Sequence, residues 1–172
     1  MLNDDGDIIK ACGFLAIYSG NLEDELDALY TIAKSLCSEL SDYEHLRFAD
    51  KARHMRKALA RQFAAAPSYP GKASEDQRVR AILQHCKVVA EGRNEIIHAS
   101  IYAGPDGRTM LKNKRYGIRN ISSGEVYELA NEVWGMHGAI YGLQFAVTRL
   151  KLASEGAGDA HGDRNGSPPT GG

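Results

Sequence analysis

A long row of apolar residues near the carboxyl end constrains the fold of this chain more than any other feature. Apolar residues recur from Val126 to Leu150 at alternating spacings of three and four. This spacing places them on one side of an α-helix, since a helix has about 3.6 residues per turn. A helix with one continuous apolar side buries that side against other elements. The pattern therefore predicts an all-α helical bundle. The row consists of Val126, Leu129, Val133, Met136, Ile140, Leu143, Val147 and Leu150.

Three earlier segments show the same helical periodicity, so we expect four main helices. Ser74 is the predicted N-cap of the third helix, because Glu75 and Asp76 follow in its first turn. Ser122 is the predicted N-cap of the fourth helix and forms a capping-box pattern with Glu125. The three earlier segments are residues 7–40, 44–65 and 74–100.

The chain between the third and fourth helices breaks this periodicity. Gly104-Pro105-Asp106-Gly107 is a turn signature, and we expect a short hairpin or an extended loop over residues 101–118. From residue 155 onward the chain is rich in Gly, Asp, Ser and Pro and lacks periodic apolar residues. We therefore expect one helical domain over residues 1–154 and a disordered tail over residues 155–172.

The charge distribution limits how the chain can contact a polyanion. The net charge of the 172 residues is −1, so any contact with nucleic acid must use a local patch. Two stretches are positive: residues 41–72 carry seven basic and three acidic side chains, and residues 105–121 carry five basic and one acidic. These stretches are the only candidates for such a patch, although solvated surfaces are the alternative interpretation.

Neither a membrane segment nor a disulfide framework is expected. The longest uncharged stretch, Val133 to Thr148, has sixteen residues, whereas a spanning helix needs about 20 mostly apolar residues. The three cysteines, Cys12, Cys37 and Cys86, form no CxxC pattern. A structural zinc site is therefore disfavoured, and a cytoplasmic location without a membrane partner is expected.

The clearest candidate chemistry lies in Arg93-Asn94-Glu95-Ile96-Ile97-His98. Arg93 stands on an apolar row, where an arginine needs a partner. Asn94 and His98 are four residues apart and share one side of the helix. A fixed cation, an amide and an imidazole are suited to gripping a phosphodiester and moving a proton.

This motif resembles the HEPN superfamily, in which Arg-x4-His, with Asn directly after the Arg, lies near the end of a helix. The resemblance covers roughly residues 7–152, and its specific element is Arg93-Asn94-x3-His98. Many HEPN proteins are metal-independent endoribonucleases that act as homodimers, with two motifs facing across a composite cleft. Toxins and antiviral RNases are common among them, and other members have lost catalysis and serve as binding or scaffold modules.

The resemblance implies a role for each motif residue. Arg93 would contact the scissile phosphate, Asn94 would orient it, and His98 would serve as acid or base. The implied products end in 2′,3′-cyclic phosphate, and no cofactor or metal is required. The resemblance also implies a homodimer through the third-helix region, with RNA as the substrate. Whether an antitoxin or another protein binds the chain is left open.

The basic stretch after the motif is a second candidate, as an added element that binds nucleic acid. Lysine and arginine neutralise backbone phosphates, and an aromatic ring can stack on a base. A solubilising loop is the alternative. The candidate residues are Arg108, Lys112, Lys114, Arg115, Tyr116 and Arg119.

Two other enzyme chemistries are disfavoured. Glu95-x-x-His98 matches half of a di-iron motif, but no second Glu-x-x-His occurs in the chain. Cys86 adjoins His85, but its place on the apolar row favours packing over nucleophilic catalysis.

A non-catalytic function competes with the enzyme hypothesis. Gly135, Gly138 and Gly142 lie inside the last helix, where each glycine costs about 1 kcal/mol relative to alanine. Three glycines within eight residues predict close packing of this helix against another helix. The alternative hypothesis is therefore a helical module that dimerises or binds a partner through its last helix.

Overall fold

The computed structural model describes the backbone of residues 7–162 and the side chains of residues 7–156. It confirms a mostly helical fold with four long helices and a short sheet before the last one. The helices are α1 (Ile8–Leu36), a 3₁₀ helix (Ser38–Tyr43), α2 (Phe48–Ala65), α3 (Lys72–Ile97) and α4 (Ser123–Gly162), and the strands are β1 (Ser100–Ala103), β2 (Thr109–Asn113) and β3 (Gly117–Asn120).

The two longest helices, α1 and α4, lie side by side and run parallel. Nε2 of His137 lies 3.1 Å from the carbonyl oxygen of Tyr18. Seven residues further along both helices, the Gln144 amide donates to the Glu25 carboxylate at 3.3 Å. The contacts advance in the same direction on both helices, so the two helices are parallel. The chain between them passes through α2 and α3 and so returns to the end of the bundle where α1 begins.

The helix α3 runs antiparallel to α4 on another side. Leu129, near the start of α4, lies against Gly92 near the end of α3, and Gly142 lies against Arg78 near its beginning. The predicted inner row of α4 is buried between these helices, with Leu129 partly buried at its edge. Each buried side chain of this kind contributes about 1.5–3 kcal/mol, so this row is a main source of the stability of the bundle.

The segment between α3 and α4 forms a three-stranded antiparallel sheet in the order β1-β2-β3. Ile101 pairs with Leu111, and Leu111 pairs with Arg119. The predicted turn is present, because the Gly107 amide donates to the Gly104 carbonyl at 3.0 Å. Leu111 is fully buried and anchors the sheet to the core.

Several predicted helix boundaries differ from the structure. The second helix begins at Phe48 rather than at residue 44, and the third ends at Ile97 rather than near residue 100. The first helix ends at Leu36 rather than near residue 40. The third begins at Lys72 and is capped by Gly71, whose φ of 86° is readily adopted only by glycine. The Ser74 hydroxyl donates to the Gly71 carbonyl at 2.8 Å and is therefore not the N-cap. At α4 the predicted cap is present, since the Glu125 amide donates to Oγ of Ser122 at 3.2 Å.

The last helix is longer than predicted. It continues to Gly162, so residues 155–162, which were expected in a disordered tail, are helical. Residues 163–172 lie outside the described residues. No described helix is long and apolar enough to cross a membrane.

The three central glycines of α4, Gly135, Gly138 and Gly142, do not bring its backbone close to the backbone of another helix. A Cβ on Gly135 or Gly138 would meet no atom within 4 Å among the described residues, whereas a Cβ on Gly142 would lie 2.7 Å from a guanidinium nitrogen of Arg78. Only Gly142 therefore has a close neighbour, and that neighbour is a side chain. The prediction of close helix packing is wrong for Gly135 and Gly138 within the single chain.

We expect Gly135→Ala to raise the melting temperature by about 1–4 °C, because alanine in an open helical position gains roughly 0.5–1 kcal/mol over glycine. Gly117→Ala is the matched control with the opposite sign, since Gly117 has a φ of 87° and a left-handed alanine costs about 1–2 kcal/mol. Thermal unfolding of both variants checks this, and equal shifts would contradict it.

Candidate functional site

The structure brings the motif and part of the basic hairpin to one cleft of about 680 Å³. We call it the central cleft. Arg93, Asn94 and His98 line it from the last two turns of α3, and Arg115 and Tyr116 line it from the turn between β2 and β3. These two groups are about twenty residues apart in the sequence, and the sheet brings them together in space. The remaining lining residues are Glu23, Asp27, Leu46, Arg47, Phe48, Ala49, Asp50, Lys51, Ala90 and Asn113.

Arg93 has the partner that its place on an apolar row requires. Its Nη1 atom lies 2.7 Å from Oε1 of Glu23 on α1, and 27% of its side chain is exposed. Its Nε atom is buried and has no hydrogen-bond partner among the described residues. A buried donor without a partner costs about 1–3 kcal/mol. The pair with Glu23 therefore positions the guanidinium, and its exposed part is what a bound molecule can reach.

Asn94 and His98 lie at different depths of the cleft. Asn94 is half-buried, whereas His98 is exposed. His98 is the C-cap of α3, with φ and ψ of −100° and 17°, and the chain turns from it into β1. This backbone geometry leaves the imidazole at the rim, where it can meet a bound molecule.

Asn113, which the sequence analysis did not single out, holds the hairpin against the cleft. Its side chain is buried, and its amide donates to the Asn94 and Glu95 carbonyls at 3.3 and 2.9 Å. Its side-chain oxygen accepts from the Arg115 amide at 2.9 Å. One asparagine therefore connects the end of α3 to the turn that carries Arg115. An asparagine four residues before a glycine, at the end of a strand, is the signal that could have indicated this turn.

The first turn of α2 faces the central cleft. Arg47 is its N-cap residue and has no side-chain capping bond, and the next four residues all line the cleft. Free amide groups and the helix dipole favour an anion at a helix N-terminus. The positive stretch at residues 41–72 therefore reaches the motif through Arg47 and Lys51.

The acidic side chains of the central cleft are all engaged with cations. Glu23 pairs with Arg93, Asp27 lies 2.7 Å from Nζ of Lys51, and Asp50 lies 2.9 Å from the guanidinium of Arg53. Within the described residues, Arg47 and Arg115 have no carboxylate within 4 Å. The Arg115 guanidinium instead lies 5.4 Å from the centre of the Tyr116 ring.

A second groove of about 420 Å³ continues from the central cleft between α2 and α3. The two share Asn94 and Arg115, and Arg53, Arg56 and Lys87 also line the groove. Arg53 pairs with Asp50, and Lys87 lies 3.7 Å from Glu91. Arg56 has no carboxylate within 4 Å among the described residues, so the groove extends the positive surface away from the motif.

Four of the predicted hairpin residues lie outside the lining of both clefts. Arg119 is engaged in an ion-pair cluster, 2.5 Å from Glu125 and 2.6 Å from Glu95. Hydrogen bonds that its guanidinium donates to these two carboxylates, Glu125 first, raise the pKa of Arg119. Its observed contacts connect β3 to α3 and α4. The other three, Arg108, Lys112 and Lys114, are exposed on the hairpin.

The disfavoured chemistries find no support in the structure. The Glu95 carboxylate is bound to Arg119 rather than available to a metal. Within residues 7–156, no group of three or more His, Cys, Asp or Glu side chains is placed to hold a metal ion. Burial raises the pKa of the Cys86 thiol to about 12, so this thiol packs in the core as predicted.

Comparison of the chain with protein-family models, with curated proteins and with solved structures gave no match.

We expect Asn113→Ala to lower the free energy of unfolding by about 1–3 kcal/mol, because it leaves the buried side of the hairpin without its hydrogen bonds. Asn120→Ala is the control, since Asn120 is exposed on β3 and should change stability by less than about 0.5 kcal/mol. Urea unfolding of the two variants measures the difference, and an equally small effect for Asn113→Ala would show that it does not hold the hairpin.

Proposed function

We propose that the chain is a metal-independent endoribonuclease of the HEPN type that binds single-stranded RNA in the central cleft. One observation carries this proposal: the Arg93, Asn94 and His98 motif shares one cleft with Arg47 and Arg115, two cations that have no carboxylate partner there. A phosphodiester entering this cleft meets both the charges that bind it and the groups that transfer protons. A role as a toxin or an antiviral RNase remains an expectation from the resemblance.

The motif residues suit cleavage by the ribose 2′-hydroxyl. The 2′-oxygen attacks the adjacent phosphorus, the bond from phosphorus to the 5′-oxygen breaks, and the products are a 2′,3′-cyclic phosphate and a 5′-hydroxyl. The exposed part of the Arg93 guanidinium is a donor for a non-bridging phosphate oxygen, and Asn94, which lines the same cleft, would orient the phosphate. His98, at the rim, takes the proton from the 2′-hydroxyl or gives one to the leaving 5′-oxygen.

A second histidine would let one group accept a proton while the other donates one. The composite cleft that the resemblance implies would supply it from the His98 of a second copy. The exposed position of His98 leaves room for such an arrangement, and the homodimer through α3 stays a prediction.

The groove between α2 and α3 suits the continuation of the RNA strand. Arg53, Arg56 and Lys87 line it next to the motif, and successive phosphates of a single strand can follow such a positive groove. Tyr116, at the other end, presents an aromatic ring on which a base can stack. The proposed strand therefore runs from Tyr116 past the motif toward Arg56.

The second candidate function, a non-catalytic interaction module, is favoured by a different observation. The side of α4 that faces away from the core exposes Trp134, Tyr141 and Phe145. Large exposed apolar side chains that form a patch are typical of protein interfaces. This function predicts no RNA cleavage by the wild-type chain.

We expect the purified chain to cleave RNA in EDTA, and Arg93→Ala and His98→Ala each to reduce the rate strongly. The loss should be about 10²–10⁴-fold for the acid or base and about 10²–10³-fold for the charge-stabilising donor. DNA should survive, because it lacks the 2′-hydroxyl. Rates on a labelled RNA, with the ends of the products identified, measure this.

The chain offers matched controls for both substitutions. Arg149 pairs with Glu75 at 2.8 Å, much as Arg93 pairs with Glu23, and His85 lies on α3 beside Glu132. Neither lines the central cleft, so Arg149→Ala and His85→Ala should retain the wild-type rate. Cleavage of DNA, a strict requirement for a divalent metal, or full activity in His98→Ala would overturn the mechanism. No cleavage by any form would favour the interaction module.

RNA binding should depend on Arg115 more than on Arg108. Arg115 lines both the cleft and the groove, whereas Arg108 is exposed outside both and pairs with Asp106. Each lost phosphate contact lowers the salt dependence, the slope of log K against log salt, by about 0.7 for a single strand. Arg115→Ala should show this loss and Arg108→Ala should not. Equal slopes for the wild type and Arg115→Ala would reject this contact.

A further inference from the structure

The helix α4 carries a second apolar row on the side that faces away from the core. Its four large side chains are 53–64% exposed. Two small residues lie between them, and the six positions follow one another at spacings of four, three, four, three and four. We call this set the outer row. It consists of Trp134, Gly138, Tyr141, Phe145, Thr148 and Leu152.

The spacing of the outer row is that of a helix-packing seam. Apolar residues at alternating spacings of three and four repeat every 3.5 residues on average, which is the pattern of two helices that pack along their length. The inner row of α4 has the same spacing and is already covered by α1 and α3. The outer row has no covering helix among the described residues, although it has the pattern of a helix that does.

The exposed area of this surface matches what a stable dimer needs. Ile17 of α1 is also 60% exposed, and Trp134 lies 5.0 Å from the ring of the adjacent Tyr18. Ile17 and the four large side chains of the outer row expose roughly 600 Å² of largely apolar surface, taking about 200 Å² for a full side chain. A standard interface buries about 800 Å² per partner, of which about 65% is apolar in homodimers.

The charge and order of the outer row fit a second copy of the same chain. Val133 to Thr148, which holds five of the six positions of the outer row, contains no charged residue, and Arg149 and Lys151 flank the sixth, Leu152. Two copies can therefore meet along most of the row without repulsion. When two α4 helices run antiparallel around a two-fold axis beside residue 143, the row covers itself completely. Trp134 then lies opposite Leu152 of the other copy, Gly138 opposite Thr148, and Tyr141 opposite Phe145. The two small residues of the row, Gly138 and Thr148, therefore face each other on both sides of the axis, which allows the helices to approach closely.

We propose that a second copy of this chain docks on the outer row of α4 and forms an antiparallel two-fold dimer. The proposal goes beyond RNA cleavage and does not rest on it. No residue of α4 lines the central cleft, so this dimer leaves both clefts open to a substrate. It uses a surface different from the α3 region that the resemblance implies, so the two are alternative dimers: loss of association in Phe145→Glu would select the α4 dimer, and a dimeric Phe145→Glu would select the other.

The mass of the chain in solution tests the proposal. Wild-type protein at micromolar concentration should be a dimer by light scattering. Phe145→Glu buries a charge without a partner at the seam and should weaken dimerisation on the order of 10²–10³-fold. Ile118→Glu is the matched control, because Ile118 on β3 is 58% exposed, similar to the 61% of Phe145, and should remain dimeric. Circular dichroism checks that both variants stay folded.

Two further measurements locate the interface. Trp134 is the only tryptophan of the chain, so its emission should shift to longer wavelength in Phe145→Glu and stay unchanged in Ile118→Glu. Under oxidising conditions, a mixture of Trp134→Cys and Leu152→Cys chains should form a disulfide-linked dimer, whereas neither variant alone should exceed the wild-type background. A monomeric wild type, a dimeric Phe145→Glu, or cross-linking of Trp134→Cys alone would overturn the proposal.

Discussion

The fold depends on the burial of the inner row of α4 against α1 and α3. This row passes through the bundle from Val126 to Leu150, and its central member, Ile140, is fully buried. Because α1 and α4 are parallel, α2 and α3 must occupy the remaining space, and the end of α3 comes to lie beside α1. The Arg93–Glu23 pair forms at this point. A loss of packing at the inner row would therefore also separate the two walls of the central cleft.

The sheet has a positioning role that its small size does not suggest. Leu111 anchors β2 in the core, and two residues later Asn113 bonds the carbonyls at the end of α3. Arg119, on β3, is fixed by two glutamates on different helices. The turn between these strands can thus present Arg115 and Tyr116 to the cleft from a rigid support. Part of the positive charge of the hairpin stabilises the fold, and part remains for a ligand.

The helices and the motif could be predicted from the sequence because both depend on local spacing. The inner row of α4 needs only the helical period, and the pairing of Arg93 follows from a cation on an apolar row. What could not be predicted depends on contacts distant in sequence. Glu23 lies seventy residues before its partner, and Arg47 reaches the cleft only because α2 begins beside the end of α3. The ion pairs of Arg119 could not be predicted for the same reason, since its two glutamates lie in elements that only the fold brings together. The start of α3 was missed at the local level, because a left-handed Gly71 replaced the expected serine cap.

The acidic residues of the central cleft set how firmly it can hold a phosphate. Glu23 keeps the Arg93 guanidinium oriented, so little side-chain entropy is lost when an anion arrives. The same carboxylate repels that anion and competes with it for Nη1, which lowers affinity for the ground state. In the proposed reaction, a phosphate that gains negative charge as the 2′-oxygen attacks would draw more strongly on the exposed donors of Arg93 than the ground-state phosphodiester does. An arginine held in this way would favour the transition state over the bound substrate, and interactions that strengthen only in the transition state are those that raise a catalytic rate.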